Sequence, residues 1–163
     1  TCLDLGRGLR RNSRLAVKWY RSAAEAGHES AQYNLGMCYR DGYGVRRNAR
    51  AAFTWFRKSA LNGDFEGASD LGYCYYEGHG TGKNLEKAAR WYRVAALAGV
   101  LRARFNLGLC YLHGEGVTKN RAMALRWLRL AARGGHKRAS QVMQRDRRPT
   151  PRSTGTRRKR RAG

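Results

Sequence analysis

The sequence contains only two prolines, both near its C-terminal end, so almost all of its 163 residues are free to form helices. It has no run of about 18 or more apolar residues, so we expect no membrane-spanning helix. Acidic residues are scarce, because 11 Asp and Glu stand against 34 Lys and Arg, and the formal net charge is +23. This excess predicts attraction to anionic partners and says nothing about the fold.

An internal repeat of 36 residues runs through the sequence. The tryptophans lie at this spacing, at Trp19, Trp55, Trp91 and Trp127, and so do the cysteines, at Cys2, Cys38, Cys74 and Cys110. Glycine, asparagine and alanine positions recur in the same register. Such a pattern predicts a stack of similar units, each of which packs against its neighbours.

Each unit is predicted to contain two helices. The first helices (A) are expected near 29–40, 65–76 and 101–112, and the second helices (B) near 13–26, 49–62, 85–98 and 121–134. Gly42 and its copies suit a left-handed cap at the end of helix A, and Asn48 and its copies suit the start of helix B. Gly36 and its copies indicate that two helices approach closely there, and Trp55 is predicted to lie on the face of helix B that packs against helix A.

The repeated motif carries a resemblance to a known family. The three full units read AQYNLGMCYRDGYGVRRNARAAFTWFRKSALNG, GASDLGYCYYEGHGTGKNLEKAARWYRVAALAG and ARFNLGLCYLHGEGVTKNRAMALRWLRLAARGG. They resemble the Sel-one-like repeat (SLR), a branch of the tetratricopeptide superfamily, although all four units have Asn where the family commonly has Asp before helix B. The resemblance implies an all-α fold, a right-handed α-solenoid of antiparallel helix pairs. The implied solenoid comprises a partial first repeat (1–28), three full repeats (29–64, 65–100 and 101–136) and a capping helix (137–144).

The cysteines are predicted to be packing residues. Equivalent positions in a helical stack lie about 8–10 Å apart, whereas a disulfide needs Cα atoms within about 7 Å and zinc needs its thiolates at about 2.3 Å. No His or acid recurs beside the thiols, which argues against a nucleophile. We therefore expect Cys38, Cys74 and Cys110 to be buried on helix A, and Cys2 to be more exposed.

By analogy with tetratricopeptide grooves, helix A should line a concave binding surface. The predicted groove residues are Tyr33, Asn34, Met37, Arg40, Asp70, Tyr73, Tyr76, Phe105, Asn106, Leu109 and His113, with Asp41, Ser69, Glu77 and Leu112 beside them. The set is apolar and aromatic in the middle with polar edges, which is typical of a groove for a peptide or a helix. The alternative is that several of these residues pack between neighbouring helices. The preferred function is a non-catalytic scaffold that binds a protein or peptide partner in this groove.

Helix B carries a second recurring feature, the helix-B arginines Arg21, Arg57, Arg93 and Arg129, each two residues after a tryptophan. These arginines are compatible with a surface for nucleic acid or another polyanion. They are equally typical of a solvated face whose aliphatic stems cover apolar surface. Because exposed aromatics usually accompany single-strand binding and the tryptophans are expected in the core, nucleic-acid binding is the second choice.

Residues 145–163 differ in composition from the repeats. They hold nine Lys and Arg against one Asp, a net charge of +8, with two prolines and no apolar run, which is typical of a disordered segment. The basic run within it is Arg157, Arg158, Lys159, Arg160 and Arg161. This run suggests a nuclear localisation signal, a phosphate-binding arm, or a by-product of arginine-rich composition.

The sequence does not favour an enzyme, and we expect no catalytic residue, metal or cofactor. The four histidines show no metal-ligand spacing, and the segment EGHGTG lacks the Lys-Ser/Thr of a phosphate-binding loop. The cytoplasm is the favoured compartment, or the nucleus if the basic run is a localisation signal. Because residue 1 is Thr rather than Met, the sequence leaves room for further repeats or a signal peptide before it. Oligomeric state is left open.

Overall fold

The computed structural model describes residues 12–147, and within that range the chain is entirely helical apart from short connections. Its helices are α1 (Ser13–Glu25), α2 (Glu29–Asp41), α3 (Ala49–Leu61), α4 (Phe65–Glu77), α5 (Leu85–Leu97), α6 (Leu101–His113), α7 (Arg121–Arg133) and α8 (Lys137–Arg147). Every extensive helix–helix contact joins consecutive helices. The chain is therefore an α-solenoid of antiparallel helix pairs, as predicted.

The helix boundaries are set by the recurring Gly and Asn. Gly42 ends α2 with a left-handed φ of 76°, and its N–H donates to the Cys38 carbonyl. The Asn48 side chain accepts a hydrogen bond from the Ala51 N–H at 3.0 Å and caps α3. The same caps recur in the following repeats. The seven helices predicted from the sequence begin at the expected residue and end within one residue of it.

The helix pairs approach closely at glycine, as predicted, but the facing residue is not the tryptophan. A Cβ added to Gly36 would lie 2.7 Å from Cδ1 of Phe56, and the copies of Gly36 meet Tyr92 and Leu128 in the same way. Trp55 lies one residue, or about 100°, to the side of this contact, and it packs against the core cluster that α1 and α2 form. The prediction that Trp55 occupies the packed face is therefore corrected to Phe56.

The tryptophans are not uniformly core residues. Trp127 is buried, Trp55 and Trp91 are partly buried, and Trp19 is 64% exposed. The repeat position of the tryptophans is therefore a core position at Trp127 and a solvent-exposed one at Trp19.

The cysteines have the packing role that the sequence predicted. Cys38, Cys74 and Cys110 are buried thiols in the helix interfaces. Burial raises the pKa of Cys74 and of Cys110 to about 12, so neither is a nucleophilic thiolate near neutral pH. Cys2 lies outside the described residues.

The last helix is longer than predicted. α8 ends at Arg147, whereas the capping helix was expected to end at residue 144 and the basic segment to begin at residue 145. No helix breaker stands between these positions, because the first proline is Pro149, and the residue before a proline disfavours helical geometry.

None of the helices within residues 12–147 is long and apolar enough to cross a membrane. Seven of them have 13 residues. At about 1.5 Å per residue such a helix spans about 20 Å, short of the roughly 30 Å hydrocarbon core.

Candidate functional site

A groove of about 850 Å³ follows the A helices α2, α4 and α6 to the start of α8. Its lining comprises Arg40, Asp41, Arg47, Asp70, Tyr73, Tyr76, Glu77, His79, Tyr92, Arg102, Phe105, Asn106, Leu109, His136 and Arg138. Equivalent positions of successive helices contribute side by side, such as Tyr73 with Leu109 and Asp70 with Asn106. The groove therefore runs along the direction in which the repeats stack.

Seven of the eleven predicted groove residues line this groove: Arg40, Asp70, Tyr73, Tyr76, Phe105, Asn106 and Leu109. The other four do not. Tyr33 packs at 5.9 Å from the Phe56 ring and Met37 packs against the core, Asn34 is partly buried, and His113 is exposed at the end of α6. The alternative of packing between helices thus applies to part of the set.

Sequence reasoning missed six charged or ring-bearing residues of the lining, which are Arg47, His79, Tyr92, Arg102, His136 and Arg138. Two of them share a repeat position with Glu66, because Arg102 and Arg138 follow it at intervals of 36 residues. That spacing was the available signal. His136 was not recognisable as a groove residue, because it lies in the turn before α8, where its Nδ1 accepts the Ala139 N–H at 3.2 Å.

The floor of the groove is ionic rather than apolar. The Asp70 carboxylate is only 3% exposed, and it lies 3.6 Å from an Nη of Arg40 and 3.1 Å from an Nη of Arg102. These arginines come from α2 and α6, so one buried carboxylate on α4 links three consecutive repeats. A buried charge requires such partners. The equivalent residues Asn34 and Asn106 are neutral and do not need them.

Further polar contacts fix both arginines. Arg40 donates two hydrogen bonds to Asp41, at 2.8 and 2.9 Å, and this pairing lowers the pKa of Asp41. Arg102 donates to Ser69 at 3.3 Å and to Glu66 at 3.4 Å. Guanidinium groups held in this way are preorganised, so a ligand that meets them orders few side chains.

Two tyrosines beside the groove are perturbed by burial and by acids. Burial raises the pKa of Tyr33 to about 12, and the Asp70 charge adds to the effect. Burial also raises the pKa of Tyr76 to about 12, helped by a hydrogen bond that its hydroxyl donates to Glu115 at 2.9 Å. Both hydroxyls stay protonated at neutral pH and act as hydrogen-bond donors there.

The predicted aromatic anchors differ in accessibility. Tyr73 is 40% exposed at the middle of the groove, with its ring 5.6 Å from the ring of His79. Phe105 is only 6% exposed, because His136 stacks on its ring at 4.5 Å and the Arg138 guanidinium lies 5.6 Å from it. Tyr73 can therefore bury a partner's side chain, whereas Phe105 supports the groove wall.

The helix-B arginines are all exposed. Arg21 donates a hydrogen bond from Nη2 to the Tyr39 hydroxyl at 2.9 Å, and Lys58 lies 4.3 Å from the Trp55 ring, so part of this surface covers aromatic rings. Trp55 and Trp91 are only partly buried beside it, so the expectation that all tryptophans are hidden in the core is wrong. The basic run 157–161 lies outside the described residues.

A metal site is not formed by the described part of the chain. Within residues 12–147, no three His, Cys, Asp or Glu side chains are grouped so that they could hold a metal ion. Part of the polar lining is instead paired, because Asp41 and Asp70 both bind arginines.

A groove assembled from equivalent positions of stacked helix pairs defines a helical-repeat protein. The family described as Sel1 repeat matches residues 1–28, 29–64, 66–100 and 101–136. The chain belongs to the Sel1 repeat family, in agreement with the resemblance found in the sequence.

Solved structures agree with this assignment. A Sel1 repeat protein from Oxalobacter formigenes is 38% identical with a TM-score of 0.79, over 86% of this chain and 58% of its own. The protein c5321, a protective antigen present in uropathogenic Escherichia coli strains that displays an SLR fold, is 32% identical with a TM-score of 0.83, over 86% of this chain and 30% of its own. Helicobacter pylori cysteine rich protein B shares the fold at 24% identity, with a TM-score of 0.64 over 84% of this chain and 98% of its own. The chain thus spans less than two thirds of the first two relatives, and no curated protein sequence matches it.

Proposed function

We propose that this chain is a non-catalytic interaction module that binds a segment of a partner protein in the groove along α2, α4, α6 and α8. The observation that supports this proposal is the exposed Tyr73 ring, which lies at the middle of an 850 Å³ groove above a fixed ionic floor. An exposed aromatic with charged and amide groups around it is the usual composition of a peptide-binding hot spot.

Each part of the groove has a separate role in this proposal. Tyr73 and Leu109 offer apolar contact to a partner side chain, and Asn106 offers an amide that can hydrogen-bond a peptide backbone. The two ion pairs of Asp70, with Arg40 and with Arg102, keep the three repeats in register beneath the ligand. A preformed surface of this kind loses little conformational entropy on binding.

Selection from a phage-displayed library of random dodecapeptides tests the proposal. The immobilised wild-type chain should enrich a peptide family, and Tyr73→Ala should weaken binding of the enriched peptides by about 2 kcal/mol or more, as for a hot-spot aromatic. Leu97→Ala is the matched control, because Leu97 is an exposed apolar residue on α5 outside the groove lining. Equal binding by wild type and Tyr73→Ala would contradict a role for the groove.

The second candidate function is binding of nucleic acid or another polyanion by the helix-B arginines. It is supported by their exposure in four successive repeats and by the partly exposed Trp55 and Trp91 beside them. Changing Arg57 and Arg93 to Glu should reduce the slope of log affinity against log salt by about 0.9 for each lost duplex-DNA phosphate contact. An unchanged slope in filter binding or fluorescence anisotropy would contradict this function.

A further inference from the structure

Three charged residues occupy one repeat position along the groove. Glu66, Arg102 and Arg138 lie in the first turns of α4, α6 and α8 at intervals of 36 residues, and we call them the first-turn row. Its first step joins opposite charges, because Oε2 of Glu66 lies 3.4 Å from Nη2 of Arg102. Its second step joins like charges. The alternation of charge therefore stops between α6 and α8.

Arg138 has a fixed position but no acidic partner among the described side chains. Its guanidinium lies 5.6 Å from the Phe105 ring, and none of the ion pairs described here for the groove, which hold Arg40 and Arg102, includes it. The first turn of α8 contains no acid. Arg138 is exposed and lines the groove together with Arg102. The α8 end of the groove thus carries an unmatched positive charge.

The groups around Arg138 do not neutralise this charge. Asp70 is already shared between Arg40 and Arg102. Burial lowers the pKa of His136, and the nearby Arg138 charge lowers it further, so His136 is neutral near pH 7. Arg102 and Arg138 both line the groove at equivalent positions one repeat apart, so one carboxylate placed between them can accept hydrogen bonds from both guanidinium groups.

We infer that the partner segment is an acidic peptide whose Asp or Glu side chain lies between Arg102 and Arg138. The carboxylate completes the row as Glu66, Arg102, ligand carboxylate and Arg138, and the neighbouring apolar side chain of the peptide lies on Tyr73. This inference rests on the proposed function, because it names the chemistry of the segment bound in the same groove.

A single carboxylate fits this groove better than a nucleic acid does. The exposed acids Asp41 and Glu77 also line the groove, and they repel a backbone that carries a negative charge at every nucleotide. A peptide can place one acidic residue at the cation pair and neutral residues beside the acids. Charge complementarity therefore selects an isolated side-chain carboxylate.

The same dodecapeptide selection tests the inference, with R138E beside the wild type. The variant should fold, because Arg138 is exposed and an acid in the first turn of a helix is favourable. R14E is the matched control, since it makes the same charge change on an exposed arginine in the first turn of α1, outside the groove lining. Enriched peptides are synthesised with amidated C-termini, each with a partner in which Gln or Asn replaces the acid.

We expect wild-type selection to enrich an acid at a constant distance from an apolar residue. R138E, but not R14E, should weaken binding of such a peptide by about tenfold, as for loss of a charge-assisted contact, and should leave binding of its amide counterpart nearly unchanged. Enriched peptides without an acid, or acidic peptides that R138E binds as well as the wild type does, would overturn the inference. If Tyr73→Ala still weakens binding of those peptides, the proposed function stands. Absence of any enriched peptide would overturn both. Binding of a short oligodeoxythymidine that R138E abolishes would assign the cation pair to phosphate and overturn the inference.

Discussion

The contact between Gly36 and Phe56 allows a test of how the two helices of a repeat fit together. A methyl group added at Gly36 would lie 2.7 Å from Cδ1 and from Cε1 of Phe56, closer than carbon atoms approach in proteins, and the ring is almost fully buried. Gly36→Ala gains about 1 kcal/mol of helix propensity and loses about 1–3 kcal/mol through overpacking. We expect a net destabilisation of up to about 2 kcal/mol.

A double-mutant cycle with Gly36→Ala and Phe56→Ala gives the decisive test, because the effect of Gly36→Ala on stability should change sign. Phe56→Ala alone should cost about 3–5 kcal/mol, because it empties a buried site. In that background Gly36→Ala no longer meets a ring, so it should become stabilising by up to about 1 kcal/mol through propensity. The measurement is urea unfolding followed by far-ultraviolet circular dichroism, with equal m-values required for the comparison.

Trp55→Ala is the matched control, because Trp55 is the neighbouring aromatic on the same helix and does not contact Gly36. Gly36→Ala should remain destabilising in the Trp55→Ala background. Relief of the clash by Trp55→Ala instead of Phe56→Ala would refute the packing described for this interface.

The remaining predictions concern the thiols, the ionic floor and alkaline pH. Cys74 and Cys110 should resist a water-soluble alkylating reagent at pH 8 until urea unfolds the chain, because both thiols are buried and burial raises the pKa of each to about 12. Rapid labelling of the native protein, measured by mass spectrometry, would contradict this. Asp70→Asn should lower the free energy of unfolding in urea by about 1–2 kcal/mol. This is less than the loss expected for a fully buried ion pair, because the paired arginines remain partly in water. A stabilised variant would show that the carboxylate does not hold the repeats together. The pKa of Tyr76 rises from about 10 when unfolded to about 12 when folded, so its contribution to stability is complete below pH 10 and is lost as the pH rises toward 12. Tyr76→Phe should therefore lose less stability than the parent between pH 9 and 11, and equal losses would contradict the assigned environment.

The helices were predictable because their signals are local. Gly42 at a left-handed cap and Asn48 at a helix start act within one turn of chain, and the period of 36 residues repeats them in each unit. The residue that faces Gly36 was not predictable in the same way. From Ala52, both Trp55 at i+3 and Phe56 at i+4 lie on the same side of a helix with 3.6 residues per turn, and only the packed structure separates them.

The groove was predictable in outline and not in its charges. Helix A was expected to line it, and Tyr73 is exposed there. The ionic floor was missed because Asp70 occupies a position that holds Asn in the neighbouring repeats, and it was interpreted as one more polar group beside a peptide. Its partners Arg40 and Arg102 come from the helices before and after it. Pairing of this kind depends on the distance between repeats, which a linear sequence does not give.

A comparison of the repeats with one another separates stability from recognition. Asn48, which caps a helix, and Cys38, which fills an interface, are identical in every unit, because each unit must fit its neighbours in the same way. The residues that line the groove differ from unit to unit: Arg40 is followed by Tyr76, Asp70 by Asn106, and Tyr73 by Leu109. Packing does not require these differences, since the same backbone accepts each residue. The differing side chains along the groove can therefore encode specificity for one partner segment. At the α8 end of the groove, Arg102 and Arg138 carry a positive charge that the other groove residues do not fully balance.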